Sequence, residues 1–200
     1  MQLIYSPASP FVRKVCVLME EVGLADQIEK LSVATSALNT APEAAAANPT
    51  GKIPALIRTD GPAIYDSRVI CRYLDDKAQS GLYPEARLWE VLTLEATADA
   101  IMESGVTMIY EARLRPAEKV FDGWVEAQWG KIERALSVIN ERWMSHLNGP
   151  LDMSHIAVAC ALGYLDFRMD DRGWRKGNDA LDDWYAAFSQ RPSMVATAPE

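Results

Sequence analysis

Across 153-MSHIAVACALGYLDF-167 nearly every position is apolar, with small residues set between large ones over about four helical turns. A helix that is apolar all round can only lie at the centre of a bundle, so the rest of the C-terminal half must supply amphipathic helices to cover it. Three segments have that pattern. Leu88–Leu114 is long and amphipathic, 117–147 predicts a second long helix with Val120, Trp124, Ile132, Leu136 and Ile139 on its apolar side, and 178–190 carries Leu181, Trp184, Tyr185 and Phe188 at helical spacing. Trp124, Trp129, Trp143, Trp174 and Trp184 read as core or interface residues of this helical region.

The N-terminal part has a different rhythm. Residues 2–6 are rich in β-compatible types, and Ser9-Pro10 then offers an N-cap followed by proline at the first helical position. Phe11, Val15, Leu18 and Val22 form the stripe of the helix that follows, and Gly23 closes it. Residues 27–33 predict a second strand, whereas 36–48, with its alanine run, reads as short helix or loop. Next, 54–58 and 63–65 predict a hairpin around Thr59-Asp60-Gly61-Pro62, and Asp66 or Ser67 caps a helix that buries Val69, Ile70, Tyr73 and Leu74. Ser80-Gly81 and Pro84 mark 79–86 as a linker. The expected organisation is an α/β domain over 1–78, the linker, and an all-helical domain over 87–200.

Lys+Arg 20 against Asp+Glu 28, a net charge of -8, leaves no clustered basic surface for nucleic acid or anionic lipid. No apolar run reaches the roughly 20 residues that span a bilayer, and the first residues lack the features of a leader, so a cytoplasmic location is expected. Cys16, Cys71 and Cys160 fall in helix-periodic apolar segments with no CxxC pair and read as reduced core residues. His146 and His155 are the only histidines, so an HExxH zinc site is absent and no metal is expected.

The order βαβ, a short element, ββα, a linker and then helices resembles the glutathione S-transferase family. The resemblance spans the chain through the strand-Ser-Pro-helix start at Ser9, 48-NPTGKIPAL-56, 66-DSRVI-70 and 149-GPLDMSHIAVACALGYLDF-167, whose GYLDF ending looks like a group of bacterial members. It implies a thioredoxin-like N-terminal domain (βαβ-α-ββα), an all-helical C-terminal domain, and a cytoplasmic homodimer, paired through the helices after Asp66 and after Arg87, with a role in detoxification. The implied activity is that of a transferase: glutathione, a co-substrate rather than a metal cofactor, binds as the thiolate and attacks a small electrophile.

Ser9 is an N-cap worth about 1 kcal/mol on the residues alone. In the family a Ser, Tyr or Cys at this position meets the glutathione sulfur, and Ser9 aligns with it, Ser6 being the alternative. A helix N-terminus suits an anion: lowering a thiol from pKa ~8.5 to ~6.5 takes it from ~3% to ~75% ionised at pH 7 for about 2.7 kcal/mol, within reach of one charged hydrogen bond and a helix end. No general base is in view to make Ser9 itself a nucleophile. Pro54 reads as a strand-start proline; the resemblance implies that the bond before it is cis and that Ile53 binds the glutathione cysteine through its backbone. Lys52 is a surface lysine or a partner for a glutathione carboxylate. Asp66-Ser67 is a capping pair that the resemblance also places on the γ-glutamyl end, and Phe11 completes the implied glutathione set. For the electrophile, helical spacing and the family's interdomain cleft point to Met102, Val106, Tyr110 and Arg113.

Asp152 and His155 depart from the pattern, since the family has Ser or Thr followed three residues later by Asp; the reciprocal capping box is expected to be altered. Two other activities share the framework. A glutathione-dependent thiol-disulfide reductase or peroxidase is disfavoured for want of a cysteine at position 9, and a noncatalytic glutathione-binding or assembly protein would use the same residues.

Overall fold

The computed structural model describes residues 1–199. It divides into two compact units, Met1–Ala86 together with the residues from Pro192, and Arg87–Arg191. In the first, β1 (Gln2–Tyr5) runs into α1 (Pro10–Glu21), followed by β2 (Glu29–Ser32), α2 (Pro42–Ala47), β3 (Ala55–Ile57) and α3 (Ser67–Ala78). The sheet order is β2-β1-β3, with β1 parallel to β2 and antiparallel to β3. The predicted second hairpin strand is reduced to one bridge, where Ile64 exchanges both backbone hydrogen bonds with Leu56. The open segment 36–48 contains α2, and its alanines have a packing reason: Ala41, Ala44 and Ala47 sit with Ile4 and Ala55 in one small core, where larger side chains would hold the helix off the sheet.

α1 starts and stops as its sequence prescribes. The Ser9 side chain accepts the Val12 N–H at 3.4 Å, and the helix closes in a Schellman motif, with Leu24 N–H on Met19 C=O, Gly23 N–H on Glu20 C=O, and Gly23 at φ 69. After α3 the Asp75 carboxylate accepts from Ser80 Oγ and Leu82 N–H, which fixes the start of the predicted linker. The residues from Pro192 form a last short helix, α9 (Pro192–Ala196), that packs on α1: Arg13 Nη2 donates to Met194 C=O at 3.1 Å, and Ser193 Oγ donates to Glu21.

The second unit holds α4 (Leu88–Leu114), α5 (Asp122–Arg142), α6 (Met144–Leu147), α7 (Met153–Met169) and α8 (Asp179–Phe188). Every residue of α7 from Met153 to Leu165 is buried, as an all-round apolar helix requires, and α4 packs against it. Gly105 of α4 makes the close approach, since a Cβ there would lie 3.0 Å from the Tyr164 ring. The single helix predicted over 117–147 is instead broken twice. Val120 and Phe121 are extended, Trp143 leaves helical geometry at ψ 0, and Trp124 is 45% exposed rather than on a buried face.

The capping box of α7 is kept in spite of its changed residues. Asp152 Oδ1 accepts from the Ser154 N–H and O–H at 3.0 and 2.5 Å, and the Asp152 N–H reaches back to His155 Nδ1 at 3.3 Å. An imidazole therefore fills the place of the usual acid. His146 Nε2 and Arg87 Nη2 lie 2.9 and 3.6 Å from Asp152 Oδ2, so cationic or proton-bearing groups surround one fully buried carboxylate. Among the described residues no helix is long and apolar enough to cross a membrane.

Candidate functional site

The strand register gathers the predicted site residues of the first unit. Ile4 is opposite Ala55, so one or two steps further along the ladder the end of β1 faces Ile53-Pro54, and the turn from Ser6 to Ser9 leaves from that same end. The bridge between Leu56 and Ile64 is antiparallel, so the chain leaving Ile64 for Asp66 heads toward the end of the sheet at which β3 starts. Two helix N-termini, those of α1 and α3, thus open at one end of the sheet on either side of the β3 start, in the arrangement that binds anions through first-turn N–H groups.

Each position contributes a distinct chemistry. Ser9 Oγ uses a lone pair to cap Val12 N–H, which leaves the hydroxyl hydrogen able to donate outward. Ser6 lies in the turn, its C=O accepting the Ser9 N–H, three residues short of the cap. The Ile53-Pro54 peptide is cis. Among the described residues neither the N–H nor the C=O of Ile53 has a hydrogen-bond partner, which leaves both groups available to an extended peptide. Lys52 is exposed and Phe11 half-buried; Ser67 is buried under the N-cap Asp66.

Asp66 accepts Arg68 N–H at Oδ1 and Arg68 Nη2 at Oδ2, at 3.0 and 2.9 Å. Partial burial works to raise its carboxyl, but the Arg68 hydrogen bonds and charge, with the field of Lys14, outweigh that and hold it below the ordinary carboxylate range. It is an anion at neutral pH. Lys14 itself is fully buried in α1.

Sequence reasoning missed three residues of this framework. Arg68 and Lys14 charge the Asp66 environment, and Asn48 folds the loop before β3: its side chain accepts from Thr50 N–H and Oγ1 and donates to Lys52 C=O. The asparagine-proline start of 48-NPTGKIPAL-56 was the available signal. Gly51 completes the loop at φ 66, where a Cβ would lie 2.5 Å from Thr40 Cγ2. Gly51→Ala is expected to cost about 1–2 kcal/mol in urea unfolding. An unchanged midpoint would show that the loop relaxes freely.

In the second unit Met102 is fully buried and belongs to the core, so it offers nothing to a ligand, whereas Val106 is half-buried and Tyr110 and Arg113 are exposed on the same side of α4.

The sequence matches the models for the glutathione S-transferase N-terminal domain over residues 8–77 and C-terminal domain over 122–187. The Escherichia coli (strain K12) protein named uncharacterized GST-like protein YibF is 31% identical over 205 residues, an alignment that covers 100% of this chain and 98% of that one. The chain belongs to the glutathione S-transferase family. Among solved glutathione transferase structures, a family member from Pseudomonas fluorescens Pf-5 with bound glutathione is 43% identical, at TM-score 0.97 over 100% of this chain and 98% of that chain. The same source gives a structure with bound S-(propanoic acid)-glutathione, 43% identical at TM-score 0.92 over 100% of both chains. A glutathione S-transferase from Methylobacillus flagellatus KT with glutathione bound is 34% identical, at TM-score 0.86 over 100% of this chain and 99% of that one. The two-domain fold of the family, a small mixed sheet with helices followed by a helical domain, is the fold described above.

Proposed function

We propose that this glutathione S-transferase family member is a transferase that binds glutathione at the end of the sheet between α1 and α3 and presents it as a thiolate to a small electrophile. The observation that supports it best is the convergence of the Ser9 cap, the unpartnered Ile53 backbone and the anionic Asp66 at one sheet end. Relatives solved with glutathione and with an S-substituted glutathione favour the same ligand and a conjugation product.

In this reading the Ser9 hydroxyl and the first-turn N–H groups of α1 donate to the sulfur and hold it deprotonated, its proton passing to solvent. Ile53 N–H and C=O pair with the cysteine of glutathione as an added strand would. Asp66 and the buried Ser67, at the N-terminus of α3, face the ammonium and carboxylate of the γ-glutamyl end, and Lys52 and Phe11 flank the ligand. Bond formation between the thiolate and the electrophilic carbon then needs no protein nucleophile. The reading includes a homodimer, for which α3 and α4 offer the exposed Val69 and Trp89.

Calorimetry with glutathione, together with ultraviolet titration of its thiolate, tests the assignment. Asp66→Asn is expected to weaken glutathione several-fold with little change in the thiol titration. Ser9→Ala should leave affinity near normal and move the thiolate titration upward by about one unit, the differential worth of one charged hydrogen bond. Unchanged affinity in the first variant removes Asp66 from the site; an unchanged titration in the second transfers the role to Ser6 or to the N–H groups alone.

A further inference from the structure

The second unit has a hollow of its own. It holds about 380 Å³ and is lined by Glu111 and Arg115 of α4, by Lys119, and by Phe121 and Trp124 at the start of α5. All five belong to Arg87–Arg191. At about 100° per residue, Glu111 and Arg115 lie roughly 150° around α4 from the side that carries Val106, Tyr110 and Arg113, so the hollow opens on a different face from the one expected to meet an electrophile.

Two aromatic side chains stand at its wall in contact with solvent. Phe121 is 67% and Trp124 45% exposed, and two such rings beside one concavity form a patch rather than scattered apolar residues. Their positions are fixed by the chain around them. The Phe121 N–H donates to Glu111 Oε1 at 3.2 Å while Glu111 Oε2 accepts from Arg115 Nε at 2.6 Å, so one buried carboxylate ties the segment before α5 to the end of α4. Gly123 makes room for the ring, since a Cβ there would lie 2.9 Å from Phe121 Cε2.

Both Glu111 oxygens are thereby committed. Arg115 keeps its two Nη groups without a partner among the described residues, and with the exposed Lys119 it leaves the lining one positive charge in excess. The neighbouring acids Glu118 and Asp122 are exposed and do not line the hollow. Lys131 Nζ, which donates to Gln128 Oε1, lies 5.8 Å from the Trp124 ring centroid and adds a cation beside that ring. A flat ring can stack on Phe121 or Trp124 while an anionic substituent on it accepts from Arg115 and Lys119. The volume suits a molecule of one or two fused rings. We propose that this hollow binds a planar aromatic acid. The site does not depend on the transferase reading, and glutathione plays no part in its test.

The test is calorimetry on the full chain with 2-naphthoate, its uncharged counterpart 2-naphthamide and the non-aromatic cyclohexanecarboxylate. Wild type is expected to bind 2-naphthoate about tenfold tighter than either of the others. Phe121→Leu and Trp124→Leu should each weaken 2-naphthoate about five- to tenfold. Lys119→Gln should remove most of the preference for the acid over the amide, whereas Lys176→Gln, an equal change of charge at an exposed position away from the hollow, should leave it intact. Gly123→Ala should displace the Phe121 ring and weaken 2-naphthoate several-fold without lowering the urea midpoint, because alanine favours the helix. A purely structural Phe121 would leave the affinity untouched. Absence of binding by wild type, equal affinity for the three probes, a preference for the acid that Lys119→Gln leaves intact, or 2-naphthoate affinity that survives in a folded Phe121→Leu/Trp124→Leu variant overturns the site. Sedimentation showing self-association that this double variant abolishes would give the hollow to a second copy of the chain and overturn it as well.

Discussion

Asp152→Ala is expected to lose about 3–5 kcal/mol in urea unfolding at neutral pH, the cost of removing one partner from a buried charge group. That is a large share of the ~5–15 kcal/mol that holds a folded domain. The carboxylate is fully buried, caps α7 through Ser154, and is the centre on which His155, His146 and Arg87 converge. Asp152→Asn keeps the shape and an accepting oxygen and should lose less. Burial works to raise the Asp152 carboxyl, but hydrogen bonds from His155 and Ser154 and attraction to both histidines hold it below the ordinary value. Its stabilising contribution is therefore complete above the unfolded carboxylate pKa of ~3.9 and declines as pH falls through the lower folded value. The stability gap between wild type and Asp152→Asn should narrow below about pH 4, as the carboxylate is protonated. A gap that widened in acid would have the wrong sign.

Ser9→Cys is expected to convert the proposed chemistry. A thiol at the N-cap of α1 gains the field of the helix end, and a pKa moved from ~8.5 to ~7 raises its ionised fraction at pH 7 about fifteenfold. Cys16, Cys71 and Cys160 are 2%, 0% and 0% exposed and serve as inert internal controls. The variant should alkylate with iodoacetamide near neutral pH well before they do. With oxidised glutathione its thiolate should attack one sulfur, forming a protein–glutathione disulfide and releasing the other glutathione as the thiolate. Transferase activity should fall as disulfide reductase activity appears. Mass spectrometry that finds the new cysteine no more reactive than Cys16 would reduce Ser9 to a structural cap.

The parts of the fold that follow from short-range patterns were legible in the sequence. The Ser9-Pro10 start, the Gly23 stop and the apolar face of α7 need only a few neighbouring residues, and the structure has all three. The breaks flanking α5 were not, because the helical period runs on through both: the Asp122-Gly123 turn dipeptide marked the first, and Trp143 carries no proline or glycine signal. The α7 capping box shows a different limit: a substitution pattern predicts a lost acid, but the His155 imidazole takes its place, with Nδ1 3.3 Å from the Asp152 backbone N and 2.9 Å from its carboxylate. In the candidate site the capping residues could be read from spacing and the Arg68–Asp66 pair is just as local, whereas Lys14 acts on Asp66 only through the packing of α1 against α3.

Arg13 and Met194 are hydrogen-bonded across 181 residues of sequence, with Arg13 only 9% exposed beneath α9. During translation Arg13 of α1 leaves the ribosome 181 residues ahead of Met194 in the helix that covers it. At ~5–20 residues per second that interval is about 10–35 s. For all of it the Arg13 face of α1 has no native cover, and the long loop must be closed before the contact gives anything back. The first unit therefore cannot complete its native packing until Pro192–Ala196 has been made, however early its sheet forms.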